Sequence, residues 1–270
     1  NKLDEEAAGI KKNAMWLDIA AMGVFAGPDV GNLLAGETLT QIDLVRRTAT
    51  DQNKIVVQQC EASGQNCTNR EVDLKDVAVG ADGKIYIFNN GIFNAEDYAL
   101  ATGAKQNSSE ANAQGVYYIL NPYTGNHVAE MLYAGYDKLN DLLGGVLPLT
   151  SAERINQAII DNARQNGGVV DSVNHSRGGM TWTNAMQDLD RQGMTLLPIG
   201  NVRYNGAAAN AQEAADLVQR ISAGGNVFQS THPTDIVGIW LGGNPATGDK
   251  NEGSFPKSHS AYTGYLPFPG

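Results

Sequence analysis

The sequence predicts an α/β protein with a mostly parallel sheet, helices on both its faces and a helical segment in front of it. Three observations predict this. From Lys84 onward, short runs rich in β-branched and aromatic residues alternate with stretches of helical spacing. The connections are long enough for crossovers, as parallel neighbours require. The 31 glycines sit at turns rather than in a tract, and at 270 residues and 42% hydrophobic the chain can bury a full core.

Residues 1–50 differ from the rest and are read as an N-terminal helical segment or linker, with 51–270 as the main domain. In the first segment Ile10, Ala14, Leu17 and Ala21 fall near one helical face, and "LTQIDLVRRTAT" makes a second short helix. From Asn53 the pattern alternates, so "KIVVQQ" and "VDLKDVAVG" are expected strands, followed by the Ala81-Asp82-Gly83 turn and the strand "KIYIFNNG". "NAEDYALATGAKQNSSEAN" has helical spacing and a capping asparagine, Asn94, at its head. Next come the strand "GVYYILNPYTG", a helix from His127 to about Leu143, and a helix over Thr150–Asn166 with Ser151 and Glu153 in its first turn. The strand "VVDSVN" then leads into a helix over "GGMTWTNAMQDLDRQG". Strand "MTLLPIGNV", helix "AQEAADLVQRISAGG" and strand "NVFQSTHP" complete the series.

Charge and composition narrow the functional classes. The net charge is −10 and no Lys/Arg cluster stands out, which argues against a nucleic-acid partner. No run of eighteen apolar residues exists, so no transmembrane segment is expected. The stretch Ile10–Gly27 has two lysines before an apolar run, but Asp18 interrupts it, and its spacing fits an amphipathic helix better than a signal sequence. The chain opens on Asn1 and is read as a piece of a longer protein. Cys60 and Cys67 bracket a Gly-containing loop between two strand-like runs. A hairpin would bring them together as a disulfide typical of an oxidising compartment; otherwise they are free thiols. No second ligand pair accompanies them, so no metal site is expected.

The stretch that carries chemistry is "VVDSVNHSRGGMTW". Ser176 falls at the carboxyl end of a buried-looking strand and ahead of a helix, where open parallel sheets bind ligands. A nucleophile held on so sharp a turn needs small residues two before and two after it. Those positions are Asn174 and Gly178, flanked by His175 and Gly179. Gly178 fits, and asparagine is among the non-glycine residues that tight turns tolerate. The competing reading is an ordinary serine in a strand-to-helix turn.

A serine nucleophile needs a base and an acid. Four histidines are available. His175 adjoins the serine and is assigned a structural role, and His127 is assigned to the surface or a helix cap. With the chain order serine, acid, histidine, His259 is the base and His232 the runner-up. Asp235, just past the strand-like run Val227–Ser230, is the acid, with Asp249 and Glu252 as fallbacks. One oxyanion donor is the backbone N–H of Arg177. The second is assigned to Ile92, or alternatively Gly91, after the strand "YIFNNG"; a plain turn capped by Asn94 is the competing reading.

Taken together, "NHSRGG", "HPTDIVG" and the late "SHSAY" resemble the serine-hydrolase constellation of the α/β-hydrolase fold, nearest the class 3 lipases. That family's His-x-x-Asp-x-Val turn matches His232, Asp235 and Val237, its nucleophile carries onto Ser176 and its base onto His259. With "NNGIFN", the ensemble over residues 80–270 also resembles hydrolase-like modules near the C-terminal ends of bacterial filamentous-haemagglutinin-type and polymorphic-toxin exoproteins. Two departures stand out: Asn174 in place of glycine, and "LLPIGNVRYNG" where lipases carry a Pro-Arg-containing strand end. The resemblance implies a secreted or cell-surface serine hydrolase of small-molecule or lipid esters (a lipase, esterase or phospholipase). It would need no cofactor and would have peripheral membrane contact at most. The alternative is a non-catalytic module that keeps the fold for partner binding or delivery. In the lipid version, the helix from His127 is a lid with an apolar stripe; otherwise its leucines are ordinary core.

Overall fold

A computed structural model describes residues 54–61, 65–91, 96–120, 127–247, 259, 262 and 266–268. Residues 1–50, Ile92, Asn94, Asp249 and Glu252 lie outside the described residues, so the expected N-terminal helices do too.

Eight strands form one sheet in the order β2-β1-β4-β3-β5-β6-β7-β8. They are β1 (Lys54–Gln59), β2 (Thr68–Val72), β3 (Lys84–Asn89), β4 (Val116–Leu120), β5 (Val169–His175), β6 (Ile199–Asn205), β7 (Asn226–Ser230) and β8 (Leu266–Phe268). The five strands from β4 to β7 run parallel. The β1–β2 hairpin and β8 add antiparallel edges on either side. The α/β architecture read from the sequence is therefore present.

Period-two alternation explains how the sheet is covered on both faces. In β3, Ile85 and Ile87 point into one core and Tyr86 and Phe88 into the other. The larger core receives α4 (Ser151–Asn166), α5 (Arg177–Arg191) and α6 (Ala211–Ile221), through residues such as Ile159, Trp182 and Val218. The smaller core receives α1 (Glu96–Gln106) and α2 (Ser109–Gln114), through Leu100 and Ala111. The remaining helix, α3 (His127–Leu142), packs beside α5.

Several element boundaries differ from the sequence reading. The expected single helix after β3 is two, because Ser108 leaves the helical conformation and caps α2 with its side chain. The run "VDLKDVAVG" is mostly a 3₁₀ turn at Leu74–Asp76 and loop, while β2 lies upstream of it. The strand expected over "MTLLPIGNV" starts only at Ile199, since Leu196 takes a positive φ of 54° and Leu197 makes just one isolated bridge. Arg203, Tyr204 and Asn205 extend it instead, paired to β5 and β7. Strand β8 was not anticipated: "LPF" has no alternation, and its central Pro267 suits only an edge.

Cys60 and Cys67 are joined by a disulfide just beyond the ends of β1 and β2. In the chain-entropy account, a bridge spanning seven residues restrains the unfolded chain by about 2–3 kcal/mol. The Cys60→Ser/Cys67→Ser variant is expected to lose that much in urea unfolding; an unchanged midpoint would show that the bridge contributes nothing.

Candidate active site

The site is built where β5, β6 and β7 end. Ser176 sits between β5 and α5 with φ 55° and ψ −120°, a conformation that non-glycine residues hold only when their surroundings impose it. Those surroundings are visible. Ser176 N–H donates to the Asn205 carbonyl at 3.1 Å, and the Ser176 carbonyl accepts from Ala208 N–H at 3.0 Å. A Cβ on Gly178 would overlap the Asn89 backbone, and one on Gly179 would meet Ala207 at 2.6 Å, so the chain can turn this tightly only with glycine at both positions. Asn174 replaces the usual small residue because its amide is fully used. It accepts from Asn89 Nδ2 at 2.8 Å and donates to Ser172 Oγ at 3.0 Å, and Asn89 in turn exchanges hydrogen bonds with Asn156 of α4. The β3 end, the β5 end and α4 are thereby tied together beneath the serine.

Asp235 is presented by the turn after β7. Its N–H donates to the His232 carbonyl at 2.9 Å, and Pro233 takes the second position of the turn, which its ring favours. Thr234 N–H donates to His232 Nδ1 at 3.1 Å, so that nitrogen of the runner-up base serves to hold the acid's turn. Asp235 Oδ1 accepts from the N–H groups of Val237 and Gly238 at 3.0 and 3.2 Å, and this anchors the carboxylate at the head of the π-helical turn Val237–Leu241.

His259 Nδ1 lies 2.9 Å from the same Oδ1. The acid and base nominated from sequence are therefore in direct contact across 24 residues of chain. With the proton on Nδ1 facing the carboxylate, Nε2 is left as the basic nitrogen. Burial alone would raise the Asp235 carboxyl; the His259 contact, the Gly238 N–H and the Tyr262 hydroxyl outweigh it and hold the group below the ordinary aspartate value.

Gly206 joins this pair to the serine. It lies between Asn205 and Ala208, both of which bond the Ser176 backbone. It has a φ of 51°, and a Cβ there would overlap both Asp235 Oδ2 and the Tyr262 hydroxyl. The His175 ring, immediately before the serine, packs on His259 in a tilted arrangement with centroids 4.9 Å apart. Its Nε2–H donates to the His259 carbonyl at 2.8 Å, which fixes its tautomer. Burial, then the neighbouring His259, lowers the His175 pKa to about 3, so it is a neutral clamp rather than a proton carrier. The structural role read for His175 thus has a definite form.

On the oxyanion side, Arg177 heads α5, where helix amides gather positive potential. Gly91 is buried, two residues beyond the end of β3, whose last residue Asn89 packs closely on Gly178.

Behind the elbow lies a set of buried charges that sequence patterning did not reveal. The Arg177 side chain pairs with Asp137 of α3 at 2.7 Å, and Lys138 reaches Asp141 at 3.3 Å and the Ala208 carbonyl at 3.0 Å. The described inner face of α3 therefore carries Asp137, Lys138, Asn140 and Asp141 beside the buried Ala134 and Tyr136, and Leu143 beyond it is exposed. Glu153 is fully buried in α4, accepting from Asn184 Nδ2 at 2.7 Å and completing a capping box with Thr150. Burial, then the Asp137 charge, pushes its carboxyl up to about 8.

A raised carboxyl makes the fold prefer the protonated form. This stability is complete below the unfolded value of 4.5 and is lost as pH rises through about 8. His175 works in the opposite direction: its contribution is complete above 6.5 and is lost as pH falls toward about 3. Between pH 6.5 and 7.5 the Glu153 effect operates at about 1.4 kcal/mol per pH unit. Urea unfolding of Glu153→Gln is expected to show a flatter pH dependence across that interval by about 1 kcal/mol. Parallel curves for variant and wild type would contradict the buried neutral carboxyl.

Among the described residues no helix is long and apolar enough to cross a membrane, and no cluster of three His, Cys, Asp or Glu side chains is arranged to hold a metal ion. No protein-family model matches the chain. No curated protein matches it either.

Proposed function

We propose that this protein is a serine hydrolase acting on carboxylic esters, of the α/β-hydrolase type nearest the class 3 lipases. One observation carries the reading. A serine in a forced backbone conformation is bonded to the same 205–208 segment that packs against a His259–Asp235 pair.

In this reading Ser176 Oγ attacks the ester carbonyl while its proton passes to His259 Nε2, forming the Oγ–C bond and a tetrahedral oxyanion. Asp235 orients the imidazole and stabilises the imidazolium that results. The Arg177 N–H, together with an N–H from the Gly91–Ile92 region, stabilises the oxyanion. Collapse breaks the C–O bond to the alcohol, which leaves with the proton from His259. Water then gives its proton to His259, attacks the acyl carbonyl and releases the acid, and Ser176 regains its proton. The disulfide supports placement in an oxidising compartment and, with the motif resemblance, a secreted or cell-surface bacterial setting.

Labelling with a fluorophosphonate provides the test. The wild-type protein is expected to take up one label on Ser176, and Ser176→Ala none. Equal labelling of the two, or none of either, overturns the hydrolase reading and favours a non-catalytic module on this fold.

A further inference from the structure

Tyr262 stands three residues beyond His259 and is buried against the acid–base pair. Its hydroxyl lies 2.9 Å from Asp235 Oδ2, 2.8 Å from the His259 carbonyl and 3.0 Å from His259 Nδ1. A phenol has one proton to place among these acceptors. The His259 carbonyl already receives the Nε2–H of His175 at 2.8 Å. Asp235 Oδ1 already faces His259 Nδ1, Val237 N–H and Gly238 N–H, and among the described residues the Tyr262 hydroxyl is the donor at Oδ2. A hydrogen bond to an ionised acceptor is roughly twice as strong as a neutral one. The proton therefore goes to Oδ2. Gly206 makes room for this arrangement, since any side chain there would strike both the hydroxyl and the carboxylate.

We propose that Tyr262 is a positioning residue of the reaction, donating its hydroxyl proton to Asp235 Oδ2 and thereby setting how strongly the acid supports the positive charge that forms on His259. This rests on the hydrolase reading above. The tyrosine extends a set of linked contacts: His175 fixes the backbone of the base, Tyr262 fixes the far oxygen of the acid, and the acid and base meet between them. Among the described residues, titratable groups that face the imidazole include Asp235 from the turn after β7, His175 from the end of β5 and Tyr262 from its own segment.

The direction of the effect follows from the donor's role. Without the hydroxyl, the carboxylate charge is drawn less toward Oδ2 and holds the imidazolium more tightly. Nδ1 also loses a lone pair at 3.0 Å, an opposing contribution that is smaller because that contact is to a neutral oxygen. In Tyr262→Phe the rising limb of the pH–rate profile is expected to move to higher pH by about half to one unit, as loss of one hydrogen bond to a charged partner implies. Turnover is expected to fall on the order of tenfold with KM unchanged.

Replacing Tyr262 by 3-fluorotyrosine keeps the shape while making the hydroxyl a stronger donor and a weaker acceptor. Both changes move the limb to lower pH, so opposite displacements in the two variants are the signature of the proposal. Should Tyr262→Phe fail to fold, the fluorinated protein alone gives the deciding sign. The ring titration of His259, followed by nitrogen-15 NMR, is expected to move in the same directions in a Ser176→Ala background, where no catalysis contributes. If the protein hydrolyses esters but neither the limb nor the ring titration moves, the Tyr262 assignment is overturned. If the ring titration moves as expected but no ester is hydrolysed, the Tyr262–Asp235 hydrogen bond and its effect on the imidazole stand, while the hydrolase reading falls and the role in the reaction falls with it.

Discussion

Ser176→Ala is expected to lower ester turnover by a factor on the order of 10⁶, the scale seen when the nucleophile of a coupled serine–histidine pair is removed. Ser172 Oγ accepts from Asn174 inside the sheet, well before the turn along β5. The variant should remain folded, because the hydrogen bonds that impose the turn run through the backbone of residue 176 and not its side chain. Alanine inherits the φ of 55°, so relief of strain requires glycine. Ser176→Gly is therefore expected to be as inactive as the alanine variant and more stable than it by about 1 kcal/mol. Measured kcat and urea unfolding of the two variants together separate the chemical role of the hydroxyl from the conformational cost of its position. Retained turnover in either variant would remove Ser176 from the chemistry.

Asp235→Asn carries the second large effect, on the order of 10³–10⁴ in kcat. The two oxygens of Asp235 are not equivalent. Val237 N–H and Gly238 N–H both point at Oδ1, so the amide oxygen of an asparagine is held there and its NH₂ is directed to the Oδ2 side. The His259 Nδ1 proton would then still find an acceptor, and the tautomer that leaves Nε2 basic would persist. What disappears is the negative charge. The imidazolium formed during attack loses its main support, so kcat falls while KM stays near wild type. On the Oδ2 side, the Tyr262 hydroxyl meets a donor and must turn toward the His259 carbonyl. The rising limb of the pH–rate profile is expected to shift to lower pH in this variant, opposite to Tyr262→Phe. A fall in KM-linked binding with kcat preserved would place Asp235 outside the acid role.

The elements that a short sequence window can specify were legible. The β5 run, the glycines after Ser176 and the first turns of the helix that follows are all encoded in one continuous stretch, residues 169–182, and each constrains the next. Asp235 was legible for the same reason, since the Pro-containing turn that presents it lies within four residues of His232. His259 was reached by chain order alone, and the structure sets it against Asp235. Tyr262 and Gly206 were not legible, because their roles exist only where segments distant in sequence meet, and "AYTGY" and "YNGAA" carry no periodic signal of that meeting.

The polar face of α3 was missed for a different physical reason. Its leucines suggested an apolar stripe, but buried charges that neutralise one another, such as Arg177 with Asp137, leave the same surface pattern in sequence as solvent-exposed ones. Leu196 misled the strand assignment because a β-branched and apolar run was read as extended, while a positive φ broke it. Asn174 departed from the small-residue pattern. Its partners Asn89 and Ser172, each locally unremarkable in the sequence, explain the departure.

A crystal structure of the protein after reaction with a fluorophosphonate addresses the relay of serine, histidine and acid in a single measurement. The expected result is phosphorus bonded to Ser176 Oγ, His259 Nε2 within hydrogen-bonding distance of that oxygen or of the leaving-group position, and the phosphoryl oxygen on the Arg177 N–H. A second N–H from Gly91 or Ile92 should complete the oxyanion site. An adduct on another residue, or a Ser176 adduct with the His259 ring turned away from it and still bound to Asp235, would contradict the relay.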